Sequence, residues 1–93
     1  MTKPETFSSV WDAIADTPEQ AANLQARAEL MRQIAAIIKD SDWKQGDAAA
    51  HCGVTQPRIN ELLRGRVSRF SLDALVNIAT ALGRRVHVEL EVA

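Results

Sequence analysis

Residues 45–65 read QGDAAAHCGVTQPRINELLRG. They divide into two short helices joined by a tight turn. Ala48, Ala49 and Ala50 are small, strong helix formers. Gly53 accepts positive φ and so ends the first helix cheaply. Thr55 suits the N-cap of a second helix, because its hydroxyl can accept from the orphan N–H groups of the first turn. Pro57 falls in that turn, where a missing N–H costs nothing. Ile59, Leu62 and Leu63 then recur at i, i+3 and i+4, one apolar face, and Gly65 stops the helix. Two helices this short must lie on other helices to be stable.

The spacing carries more than a pair of helices. Gly53 follows Ala49 by four residues, Ile59 follows Gly53 by six, and Leu62 follows by three more. This is the helix-turn-helix arrangement, with Ala49 small enough for the helices to cross closely. On a wheel of roughly 100° per residue, Pro57, Glu61 and Arg64 lie opposite the apolar face, with Gln56 and Asn60 at the edge. Gln and Asn can pair bidentately with adenine, and Arg with guanine, in the major groove of DNA. The start of such a helix usually points at the bases. Gln56 is the first candidate for base contact, then Asn60 and Arg64. Arg58, on the flank, is either a base or a phosphate contact. Taken residue by residue, the same face reads as an ordinary solvated one; the turn spacing and the local charge favour DNA.

That charge is unevenly spread. The chain of 93 residues has a net charge of −1. Residues 1–42 hold 4 Lys/Arg against 7 Asp/Glu, and residues 43–93 hold 7 against 5. Between Gln56 and Phe70, Arg58, Arg64, Arg66 and Arg69 face only Glu61. Such a local cluster is the footprint of a nucleic-acid face. Arg66, Ser68 and Arg69, in the loop after the second helix, suit phosphate contacts that position without reading sequence. Lys44 and Gln45, at the start of the first helix, are further phosphate candidates. Four aromatic residues argue against a base-stacking platform for single strands or RNA.

Working outward, Thr17-Pro18-Glu19-Gln20 starts a long helix with Thr as N-cap, Pro at N1 and Gln at the capping-box position. It is expected to run to about Lys39, with Leu24, Ala28, Met31, Ala35 and Ile38 as its apolar stripe and Leu30, Ile34 and Ile37 widening it. Before it, residues 8–15 suggest a short serine-capped helix in which Trp11 is a packing anchor or a partner contact. Trp43 is placed to staple the first motif helix. Phe70 plugs the core, Ser71 caps a helix over residues 72–82, and Gly83 closes it.

Then the period changes. Val86, Val88, Leu90 and Val92 alternate with Arg85, His87, Glu89 and Glu91, the period of a strand. No second strand pattern accompanies it, and a lone strand leaves both edges unpaired. The reading is either a disordered tail or, better suited to the clean alternation, a ribbon with a second copy that makes a homodimer. Val86, Val88, Leu90 and Val92 are its dimerisation residues. A dimer also suits DNA, since it reads two half-sites about one helical turn apart, which makes the operator palindromic.

Some classes are disfavoured. No stretch approaches the roughly 18 apolar residues of a membrane span, and the polar N-terminus is no signal peptide. The single Cys52 has no disulfide partner, so a cytoplasmic location is expected. His51 and Cys52 lack further ligands at metal spacing, and Cys52 reads as a small apolar packer. No metal and no cofactor are expected. No nucleophile–base set or phosphate-cradling glycine loop is present, so no enzyme is expected.

Residues 45–65, with FSLDALVNIATALG at 70–83, resemble the Xre (Cro/CI-type) helix-turn-helix family. The front segment SVWDAIADTPEQAANLQARAELM at 9–31 and the valine-rich tail resemble a narrower group, the short antitoxins of the HigA kind. The resemblance implies an all-α, five-helix lambda-repressor-like domain over residues 24–83. An N-terminal extension over 1–23 with an extra helix would precede it, and a C-terminal dimerisation strand over 84–93 would follow. It implies a repressor of its own operon that binds double-stranded operator DNA and neutralises a RelE/ParE-like toxin. It puts Gln45 near the backbone and Thr55, Gln56, Asn60 and Arg64 at the recognition surface. Pro57 and Glu61 depart from the residues common there. An interaction protein whose main task is blocking the toxin is the competing expectation; the acidic front half suits it, since the resemblance implies a basic toxin.

Overall fold

Thr17 fixes where the first described helix begins. Its Oγ1 accepts from the Gln20 N–H at 3.0 Å, satisfying an orphan donor of the first turn, and Gln20 Oε1 accepts from the Asp16 N–H at 2.9 Å, one residue before the cap. The computed structural model describes residues 16–92. Helix α1 spans Pro18–Asp40, α2 Gln45–Cys52, α3 Gln56–Leu63 and α4 Leu72–Ala81, with a 3₁₀ turn at Val67–Arg69 between α3 and α4. The expected short helix at residues 8–15, and Trp11 with it, lies outside the described residues.

The helix ends follow the side chains. Ser41 Oγ donates to the Ile37 carbonyl at 2.8 Å, and Asp42 takes a left-handed φ of 57° to turn the chain out of α1. Ser71 caps α4 by accepting from the Ala74 N–H at 3.1 Å. At its far end the Arg84 N–H reaches back to the Ala79 carbonyl at 3.0 Å, across Gly83 at φ 77°.

One core joins the four described helices. Met31, Ile34 and Ile38 come from α1, Ala48, Ala49 and Cys52 from α2, and Ile59 and Leu62 from α3; Phe70 and then Leu75, Ile78 and Ala79 of α4 complete it. The stripe of α1 is centred on Ile34 rather than on the Leu24–Ala28 edge, which is only half-buried. Trp43 is half-buried against this core, as a residue stapling the entry to α2 would be.

Two expectations differ from the described fold. Among the described residues there are four α-helices and one 3₁₀ turn, where five helices were expected. No strand occurs among the described residues: residues 84–92 run without regular pairing. The physical reason is that no second segment among the described residues offers an edge to pair with. Val86 stands apart in burial from the other three tail residues expected at a dimer interface. It packs half-buried against the core of its own chain, whereas Val88, Leu90 and Val92 are 80%, 95% and 98% exposed.

Candidate nucleic-acid interface

The α2–α3 pair is built around three small features. Ala48 and Ala49 are buried at the crossing, so the helices approach with little side chain between them. Gly53 takes φ 71°, which lets the Val54 N–H close onto the Ala49 carbonyl at 3.0 Å. Thr55 then caps α3 by accepting from the Arg58 N–H at 3.4 Å, and Pro57 occupies the first turn. Ile59 and Leu62 are sealed beneath, at 0% and 1% exposure. That burial fixes the rotation of α3. Thr55, Gln56, Pro57 and Arg64 are left exposed, with Asn60 half-buried at the edge.

The starts of α2 and α3 meet. A Cβ on Gly46 would stand 3.1 Å from Gln56 Nε2, so the Gln56 side chain lies directly over Gly46. Lys44, as N-cap of α2, and Gln45, its first residue, are exposed beside this junction. The foremost base-reading candidate and two phosphate candidates therefore share one end of the motif.

The arginines divide into two kinds. Arg58 turns back on the protein: its Nη1 donates to the Arg69 carbonyl at 2.9 Å, and its guanidinium sits 4.0 Å over the centre of the Phe70 ring. Glu61 lies between two of them, 3.6 Å from Arg58 Nη1 and 3.4 Å from Arg69 Nη1. Arg64 and Arg66 are exposed and form no ion pair among the described residues. Ser68, in the 3₁₀ turn, is exposed as well. The positive face is thus partly neutralised from within, and its unpaired cations lie at the end of α3 and just beyond.

The loop after α3 is held by a residue with no role assigned from the sequence. Arg27, in the middle of α1, donates through Nη1 to the Phe70 carbonyl at 3.0 Å and the Val67 carbonyl at 3.4 Å. Its Nε is buried without a partner. The pattern held a clue, because Arg27 stands three residues after Leu24 and four before Met31, on the inward stripe. His51 is a second surprise. It stacks on Trp43 with ring centres 3.9 Å apart and planes 11° from parallel. Cys52 is buried, and loss of solvent pushes its thiol pKa up, which suits packing rather than reaction. No three His, Cys, Asp or Glu side chains gather to hold a metal among the described residues. None of the described helices is long and apolar enough to cross a membrane.

The family model of the helix-turn-helix domain matches residues 13–91, a match that supports DNA binding and transcription regulation. No curated protein matches the chain. The match takes in α2, the turn at Gly53, the capped α3 and the core that orients them. The chain belongs to the helix-turn-helix domain family.

Proposed function

We propose that this protein is a sequence-specific, dimeric transcriptional repressor that reads operator DNA with α3. The observation that carries the reading is the polar edge that runs from exposed Gln56 through half-buried Asn60 to exposed Arg64 at the C-cap of α3, on a helix whose opposite face is sealed in the core. In this reading Gln56 and Asn60 pair with adenine edges and Arg64 with guanine. Thr55 stands at the leading end of the same face. Lys44, Gln45, Arg66, Ser68 and Arg69 grip phosphates on either side and set the register. Arg58 contacts DNA only by leaving Phe70, so its first task is to hold the loop. The mechanism is occlusion of a promoter in the cytoplasm, without chemistry. The HigA resemblance extends the proposal to control of the protein's own operon and to neutralisation of a RelE/ParE-like toxin. The acidic residues 1–42, with 4 Lys/Arg against 7 Asp/Glu, suit a basic partner of that kind.

Fluorescence anisotropy at physiological salt tests the reading, with DNA from upstream of the gene beside a scrambled duplex. The expected preference is on the order of 10³ or more. Gln56→Ala should cost about 1–3 kcal/mol of specific binding and leave binding to the scrambled duplex nearly unchanged. Equal loss on both duplexes, with the fold intact, would remove Gln56 from the bases. Equal binding of the wild type to both would sink autoregulation and turn attention to the toxin as the principal partner.

A further inference from the structure

We propose that residues 85–91 pair with the same residues of a second copy as an antiparallel ribbon centred on Val88. The inference rests on the dimeric reading above and deepens it by naming the partner surface and its register.

The starting observation is the geometry of the tail. His87 Nε2 and Glu89 Oε1 meet at 3.3 Å, so side chains two apart share one side of an extended segment. Val86 packs against the chain's own core, and it lines a groove with Val88 and with Leu30, Ile34 and Ile37 of α1. Val88, Leu90 and Val92 continue the alternation of Val86 and are 80%, 95% and 98% exposed. A row of apolar side chains thus leaves the core and runs out into solvent.

Charge chooses what covers it. In an antiparallel pair, residues opposite each other point to the same side. A slip of one residue sets every apolar side chain against a polar one. Registers that keep apolar opposite apolar must therefore be centred on a residue. Centring on Val88 puts Arg85 opposite Glu91 and His87 opposite Glu89, each twice by symmetry. Val86 then faces the partner's Leu90, and Val88 faces itself. Centring on His87 leaves one Arg–Glu pairing and sets two histidines against each other. Centring on Glu89 sets two glutamates against each other. The Val88 register alone among these pairs every charged side chain from 85 to 91 with its opposite or with His. It also brings the partner's Leu90 beside Val86, at the groove along α1. The segment is self-complementary, which is the requirement of an interface across a two-fold axis.

One cysteine at a time, introduced into the full chain beside the buried Cys52, tests the register. Val88→Cys, His87→Cys and Glu89→Cys are oxidised with copper phenanthroline, with the wild type, whose sole Cys52 is buried, as control. Val88→Cys should form a covalent dimer, at least about tenfold faster than the other two, because only directly opposed residues bring Cβ atoms within disulfide reach. Arg85→Glu and Glu91→Arg should each raise the dimer Kd about tenfold by setting like charges opposite, and the double variant should return it to within about twofold. Fastest crosslinking of His87→Cys or Glu89→Cys would overturn the register. A dimer in sedimentation that none of the three cysteines crosslinks would place the interface elsewhere. A monomer at all concentrations would overturn the dimeric reading itself.

Discussion

The motif at residues 45–65 and the tail at 84–92 are equally regular in sequence and differ in what covers them. In the motif, the apolar positions of period 3.6 find neighbours within the chain, and Ile59 and Leu62 are buried. In the tail, the apolar positions of period two are just as evenly spaced, yet only Val86 reaches the core. Periodicity specifies which face is apolar. It does not specify whether the cover comes from the same chain. Helices can be covered by other helices of a small domain, whereas a strand needs an edge, and the described residues supply no second one.

The contrast has a direct energetic test. Phe70 is 1% exposed, lies under the Arg58 guanidinium and offers its carbonyl to Arg27. Phe70→Ala should destabilise the fold by about 3–5 kcal/mol through lost burial and the cavity left behind. Leu90→Ser should change the stability of the monomer by less than about 0.5 kcal/mol, as a surface substitution does. Urea denaturation of both variants, below the concentration at which the protein associates, makes the comparison. A loss of several kcal/mol for Leu90→Ser would mean that the tail folds onto its own chain, and the contrast between the two regions would disappear.

The legible parts of the fold were those set by one residue and its near neighbours in sequence. Thr17, Thr55 and Ser71 cap the helices the sequence assigns them, and Gly53 takes the positive φ that its place after Ala48–Ala50 implies. The hidden parts were contacts between polar groups far apart in the chain. Arg27 reaches carbonyls 40 and 43 residues away, and helical periodicity has no way to name an acceptor on a loop. Glu61 was visible as an odd acid on a basic face, but its two arginine partners depend on how the loop folds back over α3. Four arginines in sequence therefore overstate the positive charge that this surface leaves unpaired.

Arg27 sharpens the same contrast at smaller scale. Arg27→Met keeps much of the stem packing and removes the donor to the Val67 and Phe70 carbonyls. The expected cost is about 1–2 kcal/mol, because partly buried acceptors lose a charged donor. Hydrogen exchange should show the loss concentrated in residues 66–70, with the tail unaffected. Protection lost uniformly along the chain would mean that Arg27 supports the whole core rather than this loop.

Gly46→Ala gives the smallest effect and separates folding from reading within the motif itself. Gly46 has an ordinary helical backbone, unlike Gly53, Gly65 and Gly83 with their positive φ. Alanine in a helix is favoured over glycine by up to about 1 kcal/mol. The new Cβ would stand 3.1 Å from Gln56 Nε2, the far end of a flexible side chain that can swing aside at little cost. Stability should therefore rise slightly, by about 0.5 kcal/mol. Specific DNA affinity should fall, because the side chain that has to move is the one proposed to read a base. The two signs should be opposite in one variant, measured by thermal melting and by anisotropy on the specific and scrambled duplexes. If both rose together, Gln56 would owe nothing to its seat on Gly46, and the junction of α2 and α3 would be packing alone.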